Sequence, residues 1–275
     1  MRIRAIRAGL AVAAIALATP EARGQLRPLD QTEWRLFSDS ATISARTGVS
    51  KLFEQRASLA GTTGDLWEIG SFTLAWRTGR VILEAAGTAQ RFFREDGRFA
   101  AAYPDVDPSD DGHRHDSGAY HIATAVRLTP DSWPVAGAVR FGTRLPTTDN
   151  KTGLDRDAVD FFATLGASSL SGLLALSGEA GLGINTTREP RFEQDDLFLY
   201  SVKGELRFKT IVPSIEVLGQ LHGPTHREIR GVEDLGEVRV GVRAGQRRWI
   251  RIEAVKGHET FSPSAGVIVT AGFLR

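Results

Sequence analysis

GEVRVGVRAGQRRWIRIEAVKG (236–257) decides the fold. Val238, Val240 and Val242 oppose Glu237, Arg239 and Arg243; past Gly245-Gln246, Ile250, Ile252 and Ala254 oppose Arg251 and Glu253. Successive side chains of a strand point to opposite faces, so the stretch predicts two strands joined by a tight turn, each with one apolar and one charged face. The pattern recurs along the chain. Tyr120, Ile122, Val126 and Leu128 oppose His121 and Arg127; Val139, Phe141 and Leu145 oppose Arg140 and Arg144; Phe198, Tyr200, Val202, Leu206 and Phe208 oppose Lys203, Glu205 and Arg207. These strands run to about ten residues or more, against a mean of about five or six in soluble domains.

Length and polarity together point to a bilayer, whose core needs strands of about 9 to 11 residues with apolar side chains toward lipid and polar ones inward. A soluble periplasmic sandwich with one wet face is the competing reading. The rhythm of the connections favours the barrel. Strands are expected at 41–60, 66–77, 80–93, 118–129, 135–146, 157–168, 172–185, 196–208, 211–222, 235–244, 247–256 and 264–274. Their links alternate strictly between tight turns and longer, polar loops, as in an up-and-down barrel with one rim toward the periplasm. Greek-key crossings would not keep that order. The expected fold is therefore all-β: a transmembrane antiparallel up-and-down barrel of twelve strands, closed and without edges. Segment 41–60 has the poorest alternation and is included because strand parity requires an ascending partner for 66–77. Trp67, Trp76, Trp133, Tyr200 and Trp249 fall near expected strand ends, where interfacial aromatics belong.

The first residues differ from the rest. Arg2, Arg4 and Arg7 precede an apolar run at 8–18, followed by small residues. The run is about half the ~20 residues of a spanning helix, so 1–24 reads as a signal peptide cleaved after Ala18 or Gly24. The expected organisation is signal peptide 1–24, a periplasmic lead-in or lumen plug at 25–40, and an outer-membrane barrel at 41–275. Cleavage takes the net charge from +1 to −2, which argues against a nucleic-acid partner. Cysteine is absent, so disulfides and thiolate metal sites are excluded. The final strand, SAGVIVTAGFLR (264–275), is amphipathic with an aromatic near its end and resembles the signal by which barrel-assembly machinery recognises its clients. The expected partners are that machinery, outer-membrane lipid and a small-molecule solute.

GTRLPTTDNKTGLDRDAVDFFATLGAS (142–168), followed by LLALSGEAGLGIN (173–185), resembles the MetA-pathway phenol-degradation family of outer-membrane proteins. The resemblance rests on Leu145, Pro146, Thr147, Asp149, Gly153 and Asp160, with Arg144 and Thr148 in place of the family's Lys and Gly. It implies a barrel connected with transport or uptake, and no catalytic residues.

The residues expected to line the lumen are Glu84, His121, Arg127, Arg140, Arg144, Asp160, Glu179, Lys203, Glu205, Arg207, Glu216, Arg239, Arg243, Arg251 and Glu253. Two readings of this set stand side by side. In one the charges pair across strands and fill a narrow lumen, since an unpaired buried charge is costly. In the other they form a slightly cationic passage or pocket for anionic or aromatic-acid solutes, which Arg can grip and stack upon. Enzyme readings are weaker. His113 and His115, with Asp107, Asp110, Asp111 and Asp116, have the composition of a metal site but not a zinc spacing. Ser177 lacks the Gly-x-Ser-x-Gly elbow of a lipid hydrolase, and His121, His222, His226 and His258 give no clue to a serine partner. No cofactor is expected, and no catalytic residue is assigned.

Overall fold

The computed structural model describes residues 26–38, 41–109, 111–146, 150–155, 159–186, 194–223 and 230–275. The signal peptide, its two candidate cleavage positions, Asp110 and His226 lie outside them.

The strands are β1 (Ile43–Ala57), β2 (Thr62–Thr78), β3 (Val81–Arg98), β4 (His113–Asp116), β5 (Tyr120–Arg127), β6 (Val135–Leu145), β7 (Asp160–Ser171), β8 (Leu174–Thr186), β9 (Gln194–Leu206), β10 (Ile211–His222), β11 (Leu235–Gly245), β12 (Arg248–Gly257) and β13 (Ala265–Leu274). β4 and β5 both pair with β3, at Arg91–Arg94 and Val81–Ala86, so they are two halves of one span interrupted at 117–119. The result is twelve antiparallel spans. β1 closes the ring on β13, from Ser44 opposite Leu274 to Phe53 opposite Ala265. Every spanning strand thereby has two neighbours, which a membrane demands because lipid cannot satisfy a free ladder edge.

The two faces are inverted relative to a soluble protein. Val240 and Ile252 are 54% and 57% exposed on the outside, while Arg243 and Glu253 on the alternate positions are 2% and 6% exposed within. A soluble sandwich would bury its apolar faces against each other; here they form the surface. That contrast selects the membrane barrel over the soluble reading.

The irregular alternation of 41–60 has a local cause. β1 shifts register against β2 between Gly48 and Val49 and again between Leu52 and Gln55, with Glu54 at φ 51°. The first shift places its extra residue, Gly70, in β2; the second adds one to β1 and flips its parity beyond Leu52. The loop expected at 94–117 is shorter than its sequence suggested: β3 continues to Arg98 and β4 pairs with its upper part.

Residues 26–38 lie inside the barrel. Near the loop rim, Leu26 packs with Leu52, Ala57, Ala60, Leu66, Phe93 and Leu154. Near the turn rim, Trp34, Leu36 and Phe37, the last two in the single helical turn α1 (Arg35–Ser38), pack with Ala75, Ile82, Ala125, Ala136, Ala138 and Leu274. Between them Leu29 packs against Ala123, Phe162, Leu197 and Leu199. Apolar contacts thus secure both ends and the waist of a segment whose remaining contacts are polar.

Candidate functional site: the occupied lumen

The lumen is organised around the polar residues of that segment. The Arg27 guanidinium donates to both carboxylate oxygens of Glu237, at 2.9 and 2.8 Å, and to Glu68 Oε2 at 3.1 Å. Three residues on, Asp30 accepts from Arg239 Nη1 at 2.6 Å and Arg46 Nη2 at 2.8 Å, and its carbonyl accepts from Arg140 Nη1 at 2.9 Å. The backbone N–H groups of Thr32 and Glu33 donate to Glu179 and Glu84, at 2.6 and 2.8 Å. Arg77 and Arg127 donate to the carbonyls of Leu36 and Phe37 near the turn rim. An extended chain has no ladder of its own, so the wall supplies acceptors for its N–H groups and donors for its carbonyls.

The wall charges also pair with each other. Arg140 meets Glu84 at 2.9 Å and Glu179 at 3.6 Å, and its guanidinium lies 5.3 Å from the Phe162 ring. Arg144, 1% exposed, pairs with Asp155 at 2.6 Å and Asp160 at 3.2 Å; Asp155 is also held by Arg91 at 2.8 Å. Lys203 meets Glu216, its register partner, at 3.2 Å. Arg251 meets Glu205 at 3.1 Å and Glu253 at 3.9 Å, and Arg239 meets Glu237 at 2.7 Å. The Arg140 and Arg144 guanidinium groups are therefore engaged by wall carboxylates.

Of the other residues expected in the lumen, His121 and Lys203 are partly buried and line cavities, as does Arg207 just beyond β9. Arg127 is buried beside Phe37. The structure adds Arg46, Glu68, Arg91, Asp155 and Glu237 to the charged wall. Glu237 has the parity of Arg239 and was readable in the sequence; Asp155 sits in a loop and carried no periodic signal. Glu68 and Arg91 face each other beside the bulge at Gly70, φ 69°, which breaks the parity count, whereas Arg46 keeps the inward parity of Ser44 and Ser50 and was readable. Trp249, near a strand end, has the parity of Arg251 and points inward, 7% exposed, instead of joining an interfacial belt.

Two cavities flank the segment. One of about 150 Å3 is bounded by Leu29, Phe72, Thr88, His121 and Arg140. The other, about 90 Å3, lies toward the turn rim beside Trp34, Lys203, Arg207, Arg243, Trp249 and Arg251. Gly166 lets Trp34 approach the wall: a Cβ there would sit 2.5 Å from Trp34 Cζ2 and 2.6 Å from Glu179 Cγ. Gly166→Val is accordingly expected to push Trp34 off the wall, measurable as a red shift of tryptophan emission in the folded barrel. An unshifted spectrum would show that Trp34 does not depend on this contact.

The residues considered for chemistry are dispersed. Ser177 donates to Gln31 Oε1 at 2.9 Å, within the lumen. His258 Nε2 lies 2.8 Å from the Tyr200 hydroxyl, and His222 Nε2 lies 2.6 Å from Asn185 Nδ2. Among the described residues no serine hydroxyl bonds a histidine ring. His113 and His115 sit on the exposed face of β4, and among the described residues no group of three or more His, Asp or Glu side chains is gathered as for a metal.

No family model matches the chain, and no curated protein matches it. Among solved structures the chain is similar to the COG4313 outer membrane channel from Pseudomonas putida F1, with TM-score 0.58 and 10% identity over 90% of this chain and 100% of that one. LpxR from Salmonella typhimurium matches with TM-score 0.47 and 8% identity, over 84% of this chain and 100% of that one. The CymD monoaromatic hydrocarbon channel matches with TM-score 0.43 and 10% identity, over 87% and 90%. At such identity the first likeness bears on fold alone, and the fold it shares is that of an outer-membrane β-barrel.

Proposed function

We propose that the protein resides in the outer membrane, surrounded by lipid after insertion by the barrel-assembly machinery, and passes or binds small solutes. The observation that carries this reading is the character of the lumen. Its centre holds a single extended segment bounded by two cavities, with charged walls, where a purely structural small barrel would close on interlocked side chains. Passage needs no covalent chemistry from the barrel, and Ser177 is spent on Gln31. The COG4313 protein is named a channel, which agrees with this reading. The family resemblance of 142–168 to phenol-degradation proteins points to the same class of transport.

The test is planar-bilayer recording of the full-length mature protein beside a phospholipase assay on the same preparation. Small, discrete conductance steps and no lipid release are expected. Lipid release abolished by substituting one Ser or His would replace transport with hydrolysis. Recovery of the chain in the soluble periplasmic fraction, without heat-modifiable migration, would remove the membrane reading altogether.

A further inference from the structure

The turn-side cavity holds an arginine that the wall does not neutralise. Arg243 on β11 faces Arg251 on β12 directly across the ladder. Like charges opposite one another destabilise a sheet unless something lies between them. Arg251 pairs with Glu205 at 3.1 Å and Glu253 at 3.9 Å. Arg243, 2% exposed, makes a single 3.3 Å bond, to the Gly245 carbonyl, and its Nε has no partner. Among the described residues no carboxylate lies within ion-pairing distance of it. Nε1 of the neighbouring Trp249 is likewise buried without an acceptor, and the Arg251 guanidinium lies 5.6 Å from that indole ring. Seven cationic side chains line this cavity against five acidic ones. Buried donors without acceptors are costly to leave so, and both residues line a space that an acceptor can enter.

We infer that this cavity binds the carboxylate of a short aliphatic acid, gripped by Arg243 and Trp249 Nε1. The assignment rests on the proposed role in small-solute binding and names its substrate class. Leu170 and Leu274 in the same lining receive the apolar body, which an inorganic anion lacks. Size separates aliphatic from aromatic acids: the cavity is about 90 Å3, below the roughly 150 Å3 of a cavity that accepts benzene. The chemistry of the wall favours an acid; its volume favours a small one.

Calorimetric titration of the folded, detergent-solubilised barrel with propionate, 1-propanol, benzoate and inorganic phosphate tests this. Propionate is expected to bind, and the other three to bind more weakly. Arg243→Gln is expected to weaken propionate by about tenfold, the loss of one charge-assisted contact. Trp249→Phe, which keeps the ring and removes the donor, should weaken it less, and it serves if the first variant fails the heat-modifiability check of folding. Unchanged affinity in a folded variant would overturn the site. Phosphate equal to propionate would overturn the organic-acid assignment, and benzoate tighter than propionate would overturn the size argument. Bilayer conductance of the same samples separates the two readings. Propionate binding without conductance leaves this site standing and removes passage; conductance without propionate binding does the reverse.

Discussion

Deleting residues 26–38 is expected to raise the unitary conductance several-fold, because this segment occupies the lumen from Leu26 at one rim to Phe37 at the other. A twelve-stranded ring lies between the eight-stranded barrels that side chains fill and the porins of about 16 strands that enclose water. What narrows this one is a strand of backbone, and the contacts holding it are reciprocal: Arg27 uses wall carboxylates, Asp30 uses wall guanidinium groups. A point variant should approach the same result. Asp30→Ala removes the carboxylate that Arg46 and Arg239 share at 2.8 and 2.6 Å, and with it the charged tether at the middle of the segment. Intermittent opening is the expected record. Raising salt should not substitute for the variant, since the Arg27 pairs with Glu68 and Glu237 are buried and are screened far less than exposed ones. Identical conductance in the wild type and the deletion, with both folded, would show that the segment is not the constriction.

Arg144→Ala is expected to cost the barrel about 3–5 kcal/mol, the range for removing one partner of a buried ion pair. Its guanidinium joins Asp160 on the neighbouring strand to Asp155 in the loop that follows β6. Asp155 in turn meets Arg91 on β3, so one side chain ties the neighbouring strand, a loop and, through Asp155, a strand two ladders away. The check is the urea midpoint of the heat-modifiable band in lipid vesicles. Arg144→Lys retains the charge but cannot span both carboxylates with a fork of donors, and should fall between wild type and alanine. A midpoint unchanged in Arg144→Ala would mean that Arg91 alone compensates for Asp155.

The barrel was legible where period two is unbroken. β9 to β12 run without a bulge, so parity sorts Lys203, Glu205, Arg239 and Arg251 from Val202, Val240 and Ile252 by counting alone. Counting fails at β1 to β3, where inserted residues flip the faces; Glu68 and Arg91 disappear from a parity list there although they bind in the lumen. The path of 26–38 was invisible for a different reason. Its partners are side chains on a curved wall at irregular spacing, Glu237, Arg239, Glu179 and Glu84 for positions 27, 30, 32 and 33. No helical or strand period describes such a chain. Trp249 could have been placed from its parity with Arg251; proximity to a strand end obscured it.

The route of residues 26–38 also bears on how the ring is braced. The segment leads from the loop rim down to the turn rim, where β1 starts back up, and β1 supplies half of the final seam with β13. The seam therefore closes a ring whose enclosed chain is bonded to β2, β3, β8 and β11 by Glu68, Glu84, Glu179 and Glu237. The segment is thus a mandrel within the ring, its charges and N–H groups braced against strands spaced around the whole circumference.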